Sequence, residues 1–333
     1  MRALVFKHYG GLDQVAFTDI PLPVPKPDEL LVQVHAAGLN PVENQIRSGK
    51  MKAILRFQLP ATLGSDLAGV VVAVGGSVTR FKPGDAVFAC INELRMGALA
   101  ELAVVTENAA ALKPANLDFV QAASIPMVGL TAWQALKERA HVKPGHKVFI
   151  SAGAGGIGTF AIQLAKYLGA KVATTTSAGN VNLVRSLGAD EVIDYQKQSF
   201  EHVLRDYDAV LDTLGGDSLE NSFQIVRPEG IVVSIVGPPD AAFGRTRGMN
   251  VLMLLALWLL SYKIHRLAEK RGVEYSFLLV NPDGSQLAEI GDLFKVRSIR
   301  PVIDRVFSFD QAREALAYLE RGRAKGKVVV QMK

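Results

Sequence analysis

The stretch SAGAGGIGTF, residues 151–160, decides how this chain is read. It follows the apolar run HKVFI (146–150) and precedes AIQLAKYLGAK (161–171), so a strand enters the turn and a helix leaves it. Gly153, Gly155 and Gly158 stand there in G-x-G-x-x-G order. The first glycine permits a tight turn, the second lets the backbone approach a pyrophosphate, and the third allows close packing of helix on strand. The helix start adds free N–H groups and the positive end of a dipole. A dinucleotide is therefore expected on Gly153, Ala154, Gly155, Gly156, Ile157 and Gly158.

Further along, the next strand and turn, KVATTTSAGNVNLVRSLG (171–188), contain no acid. An Asp or Glu at the end of that strand would accept from the ribose 2′-hydroxyl of NAD. It would also repel a 2′-phosphate, so its absence favours NADP. Ser177 and Asn180 are the donors at that place, with Arg185 and Tyr195 as further candidates. β and α segments keep alternating through a helix over 180–187, EVIDY, YDAVLDTLG, GIVVSIVG and YSFLLV, the pattern of a parallel, doubly wound sheet. Ligands sit at the carboxyl edge of such sheets. That nominates residues 212–215 (with Leu214), 234–237 (with Ile235 and Gly237) and 278–280 (with Leu278 and Val280), mostly through backbone.

Before this region the chain reads differently. ELLVQVHAAGL (29–39), SDLAGVVVAVG (65–75), RFKPGDAVFA (80–89) and ALAELAVV (98–105) are short strands broken by Pro and Gly. From 119 the period turns helical, interrupted at Pro126 and Gly129, and the tail RPVIDRVFSFDQAREALAYLERG (300–322) with GKVVVQM (326–332) returns to strand, helix, strand. The expected organisation is a β domain of residues 1–118 plus 291–333, with the dinucleotide domain of 119–290 inserted in it.

Composition narrows the function classes. The chain has 333 residues, 49% of them hydrophobic and 21% charged, which suits two packed globular domains. The formal charge of +5 is spread along the chain with no basic run carrying interleaved aromatics, so no nucleic-acid partner is expected. The single cysteine, Cys90, excludes internal disulfides and a multi-cysteine zinc lobe. The opening MRALVFKHYGG lacks the apolar core of a secretion signal, and a cytoplasmic location is expected. An apolar insertion lies near 240–272. Its core, VLMLLALWLL (251–260), is too short for the roughly 20 residues of a membrane span, so no transmembrane segment is expected. It reads as a buried or lid helix, with peripheral membrane contact as the alternative because SYKIHRLAEKR (261–271) is basic.

Seven stretches then point one way: AAGLNPVENQIRSG (36–49), LGSDLAGVVVAVG (63–75), FKPGDAVFA (81–89), AASIPMVGLTAWQAL (122–136), GAGGIGTFAIQLAK (153–166), LGADEVIDY (187–195) and KGKVVV (325–330). In this order the chain resembles the zinc-independent quinone oxidoreductase and enone reductase branch of the medium-chain dehydrogenase/reductase superfamily. The resemblance implies an α/β Rossmann domain inserted in a GroES-like β domain, NADPH as cofactor, and a homodimer. It also implies that Asn40 lies beside nicotinamide and reacting carbonyl as the catalytic residue, with Thr131 near the nicotinamide. Asn44 and Gln45 follow as substrate contacts, although many quinone reductases carry Tyr where Gln45 stands. Arg47 reads as a structural hydrogen-bonder, and Arg323 and Lys325 as basic residues that reach phosphate or sit in a solvated turn.

Zinc-dependent relatives place Cys where this chain has Asn40, and Gly-His-Glu where it has Gly64-Ser65-Asp66. The six His residues show no metal spacing, so no zinc is expected. Without a Lewis acid the favoured chemistry is hydride addition to the C=C of an α,β-unsaturated carbonyl, or to a quinone, with hydrogen-bond donors holding the developing enolate. An apolar enone or quinone is the expected substrate. The alternatives are one-electron quinone reduction and an NADPH-binding sensor or interaction protein with little turnover.

Overall fold

A computed structural model of the chain describes residues 1–52, 57–91, 95–296 and 298–332. Its contacts divide it into two units, residues 1–130 with 281–333, and residues 131–280.

The first unit begins with β1 (Arg2–Phe6), β2 (Val15–Asp19), β3 (Glu29–Leu39), β4 (Ala61–Thr62), β5 (Asp66–Val74), β6 (Ala86–Cys90), β7 (Leu102–Thr106) and β8 (Ala110–Leu112). The second holds β9 (Lys147–Ile150), β10 (Lys171–Thr176), β11 (Glu191–Asp194), β12 (Tyr207–Asp212), β13 (Val226–Ser234) and β14 (Glu274–Phe277), and the returning tail adds β15 (Ile303–Ser308) and β16 (Lys327–Gln331). In chain order the helices are α1 (Pro41–Arg47), α2 (Phe119–Ala123), α3 (Pro126–Trp133), α4 (Gly156–Tyr167), α5 (Val181–Ser186), α6 (Phe200–Val203), α7 (Gly216–Ile225), α8 (Ala241–Thr246), α9 (Val251–Arg271), α10 (Gly284–Lys295) and α11 (Ala312–Glu320).

In the first unit the tail strand decides the sheet. β16 lies between β15 and β3, in the order β15-β16-β3-β5-β6-β8, with β7 on β3. A strand with neighbours on both sides and cover on both faces reads as a continuous apolar run. Val328, Val329 and Val330 are accordingly all fully buried. Val328 pairs with Leu39, which sets Lys327 beside the end of β3.

In the second unit the six strands run parallel in the order β11-β10-β9-β12-β13-β14. The chain order reverses between β9 and β12, and such a reversal opens a ligand crevice at the strands' carboxyl ends.

Three expectations change. Residues 119–130 and 281–290 belong to the first unit, because α2 packs on β3, β5 and β16 while α10 packs on β8. Gly129 does not interrupt a helix: α3 runs through it, and a Cβ there would lie 3.2 Å from Ile125 and 3.5 Å from Ile290, so the glycine admits α10 closely. The apolar residues 251–260 form the first half of a 21-residue helix and are mostly exposed, not buried.

Candidate functional site

Polar and glycine chemistry gathers at one place in each unit. In the second unit it is the turn from β9 into α4. A Cβ on Gly153 would lie 2.2 Å from Thr174 Oγ1, and one on Gly158 would lie 2.4 Å from the Ala152 carbonyl oxygen. These two glycines are packing requirements. Gly155 differs: its Cβ would meet only the Ala152 oxygen, at 3.3 Å, so the helix start behind it is open. Gly155 is the N-cap of α4, and no side chain caps the helix. Ala152 adopts φ +51°, a left-handed conformation that costs a non-glycine residue about 1 kcal/mol. Thr175 Oγ1 holds it by accepting from the Ala152 N–H at 3.1 Å. Neither Ala152 nor Thr175 is identifiable from the motif. The open, uncapped amino end fits the pyrophosphate of a dinucleotide.

At the end of β10, Asn180 Nδ2 donates to Ser177 Oγ at 3.2 Å, and the Tyr195 N–H donates to the Thr176 carbonyl, also at 3.2 Å. The sheet thus brings Ser177, Asn180 and Tyr195 together. It also places Asp194 level with Thr176, an acid that a reading of β10 alone misses. Asp194 accepts from the Gln196 N–H at 3.1 Å, and the Lys197 ammonium lies 3.9 Å away.

The later strand ends are tied together by side chains. Buried Asp212 accepts from Ser234 Oγ at 2.7 Å, from the Gly215 N–H at 3.1 Å and from Ser218 Oγ at 3.2 Å. Ser234 Oγ in turn accepts from the Gly237 N–H at 2.9 Å. Burial raises the Asp212 carboxyl above its ordinary range, against the lowering effect of those donors. Leu214 is exposed at this edge and Ile235, Gly237 and Val280 are partly exposed. The Leu278 side chain is buried and its N–H donates to the Ser234 carbonyl at 2.9 Å, a bond that does not engage its own carbonyl. Thr131 is buried on α3, at 4% exposure.

The first unit holds a buried charged cluster around Asn40. Lys327 Nζ donates to the Leu39 carbonyl (2.9 Å), Asn40 Oδ1 (2.6 Å) and Asp66 Oδ2 (3.2 Å). Asn40 Nδ2 donates to the same Asp66 oxygen at 3.0 Å, and the Met127 N–H donates to the other at 2.9 Å. Glu43 accepts from the Ser65 N–H at 2.8 Å and the Asn40 N–H at 3.3 Å. Asp66 and Glu43 are wholly inaccessible, and Asn40 and Lys327 almost so. Burial pushes the Glu43 carboxyl up to about 7, with Asp66 adding to the rise and Lys327 opposing it. Burial also raises Asp66, against the pull of the Lys327 ammonium and the Asn40 amide. Asn40 does precede α1, as a turn cap would, yet its side chain is held by charge. The sequence reading missed Glu43 and Lys327. A lysine opening an otherwise apolar strand was the available signal.

Neighbouring candidates separate by environment. Asn44 donates to the Leu316 carbonyl at 3.4 Å, while its Oδ1 is buried without a donor among the described residues. Gln45 is exposed. Arg47 is buried, donates to the Gly10 carbonyl at 2.5 Å and pairs with Glu320, which is a structural role. Arg323 is exposed in the turn before β16. Cys90 is buried, and no group of potential metal ligands occurs among the described residues.

Comparison with known proteins gives this geometry its context. Residues 26–115 match the family profile described as alcohol dehydrogenase GroES-like domain, and residues 187–330 match that described as zinc-binding dehydrogenase. The chain is 36% identical to a 2-methylene-furan-3-one reductase of Solanum lycopersicum and 36% identical to a chloroplastic NADPH-dependent alkenal/one oxidoreductase of Arabidopsis thaliana. In each case 99% of this chain covers 79% of the relative. The solved quinone oxidoreductase of Coxiella burnetii superposes with a TM-score of 0.86 at 31% identity, over 100% of this chain and 99% of that one. With this fold and likeness along its whole length, the chain belongs to the quinone oxidoreductase and enone reductase branch of the medium-chain dehydrogenase/reductase superfamily.

Proposed function

We propose that the protein is an NADPH-dependent reductase that adds hydride to the C=C of α,β-unsaturated carbonyls, or to quinones, without a metal. One observation carries the reading: the open, uncapped start of α4 behind Gly155, in a chain similar to a 2-methylene-furan-3-one reductase and to an NADPH-dependent alkenal/one oxidoreductase. Bound NADPH supplies a hydride from nicotinamide C4. The chain's own residues hold it: the α4 amino end takes the pyrophosphate, and Ser177, Asn180 and Tyr195 take the adenosine end. The Lys197 charge, 3.9 Å from Asp194, moderates that acid.

Negative charge that develops on a substrate carbonyl needs preorganised donors. Asn40 is suited to this role. Lys327 occupies its Oδ1 and Asp66 takes one N–H, which leaves the amide's second N–H as a donor of fixed orientation. The Lys327 ammonium lies close by, on the other side of the amide. The same cluster supports metal independence. Where the resemblance puts a Cys, Asn40 already gives its side-chain oxygen to the Lys327 ammonium. Asn44 and exposed Gln45 belong to the proposal as substrate contacts. So do the homodimer and the cytoplasmic location, which rest on the sequence readings given above.

The test is NADPH oxidation by the pure protein with a panel of 2-alkenals, vinyl ketones and quinones, with NADH as control and products identified by mass spectrometry. A saturated carbonyl formed with NADPH preferred is the expected result. Tight NADPH binding without turnover on the panel would instead favour the sensor reading, and semiquinone release would favour one-electron chemistry.

A further inference from the structure

The first ten residues of α9, VLMLLALWLL, carry no polar side chain, yet Val251 and Leu252 are each 78% exposed and Leu259 is 62% exposed. Only one side is covered: Leu254 and Leu257 face Gly244 of α8. The second half of the helix is anchored differently. Ile264 and Ala268 join the core of the second unit with Phe223 and Tyr275, and Lys263 pairs with Glu220 on α7. The whole helix is long and apolar enough to cross a bilayer, but the anchored half is not available to lipid. The free half spans about 15 Å, half of the ~30 Å hydrocarbon thickness.

Charge brackets this apolar segment at both ends. Arg245 and Arg247 precede it, Lys263, Arg266, Lys270 and Arg271 follow it, and the sole acid between residues 241 and 272 is Glu269. Between the apolar and basic parts lie Trp258 and Tyr262, their rings 5.3 Å apart, with Arg266 donating to the Tyr262 hydroxyl at 3.1 Å. Apolar, then aromatic, then basic is the order in which a membrane interface is crossed.

We propose that the α8–α9 insertion docks the protein on an anionic lipid surface, with the first half of α9 lying within one leaflet. Lipid fits this surface better than a second copy of the chain. In a two-fold contact the basic end of one α9 would face a basic end of the other, and like charges would oppose the pairing. Lipid phosphates neutralise both ends while the hydrocarbon covers the leucines. The inference is independent of the reductase reading.

The experiment is co-sedimentation of the intact protein with vesicles of phosphatidylcholine alone, or of phosphatidylcholine with a minority of phosphatidylglycerol. Partition is expected to be at least about tenfold stronger on the anionic vesicles and to weaken steeply with salt. Trp258 emission should shift to the blue on binding, and Trp258→Phe should abolish the shift, since the other tryptophan, Trp133, is already buried. The exposed pair Leu255→Gln with Leu259→Gln should lower partition at least about tenfold without changing the unfolding temperature. Arg245→Gln with Arg247→Gln should remove the preference for phosphatidylglycerol. Equal recovery on both vesicle types, or none on either, overturns the proposal. So does a dimer that the leucine variants convert to monomer without any vesicle binding, which would assign the face to a second copy. Leucine variants that leave partition intact but raise KM for an enone would assign it to the substrate pocket and equally overturn the proposal.

Discussion

Lys327 brings its charge into the interior and finds three acceptors there, two of them side chains from residues far away in the chain. A buried ion pair adds little net stability over an apolar pair of the same shape, but removing one partner strands the other charge. Lys327→Met should therefore destabilise by about 3–5 kcal/mol, measured by urea unfolding. Adding Asp66→Asn to Lys327→Met should recover part of that loss, with a coupling of about 1–3 kcal/mol. Additive losses would show that the two groups do not depend on each other. This cluster was only half legible in the sequence. Asn40 and Asp66 fall at recognisable motif positions, whereas GKVVV shows only a lysine opening an apolar strand and nothing of the acceptors it meets.

At the scale of the element, the glycine turn separates two kinds of glycine that one motif writes identically. Gly158→Ala forces a methyl group to within 2.4 Å of a carbonyl oxygen, so overpacking should cost about 1–3 kcal/mol of stability. Gly155→Ala sets its methyl group 3.3 Å from the Ala152 carbonyl oxygen, a contact relieved by a shift of a few tenths of an ångström, at an extended φ of −76° that alanine adopts readily. Its unfolding temperature should barely move, while NADPH affinity, followed by fluorescence titration, should fall at least about tenfold because the methyl group occupies the pyrophosphate's approach. Unchanged affinity in Gly155→Ala would place the phosphates elsewhere. Element type was readable here because strand and helix periods differ. The helix expected to leave the turn is α4, Gly156–Tyr167. Gly129 was misread because a glycine that breaks a helix and one that admits a neighbouring helix look alike until the neighbour is known.

At the scale of the whole molecule, the family profiles carry the names of zinc-binding and alcohol dehydrogenases, while Asn40 stands where the resemblance puts a Cys and gives its oxygen to the Lys327 ammonium. Dialysis against EDTA should leave both turnover and unfolding temperature unchanged, and metal analysis of the purified protein should find far less than one zinc per chain. Activity lost on dialysis and restored by zinc would contradict metal independence.

The sequence by itself determined what depends on local pattern. The strand–glycine turn–helix unit, the run of alternating strands and helices, and the missing Cys and His ligands could all be read from residues near one another. The tertiary structure alone decided what depends on register and cover. Insertion of β16 between β15 and β3 joins Lys327 to Asp66, 261 residues away in the chain, and packing of α2 on that sheet moves the domain boundary. Exposure of α9 was equally beyond the sequence. Hydrophobicity states what a segment gains by leaving water, but whether the protein itself provides the cover depends on which surfaces the fold sets against it.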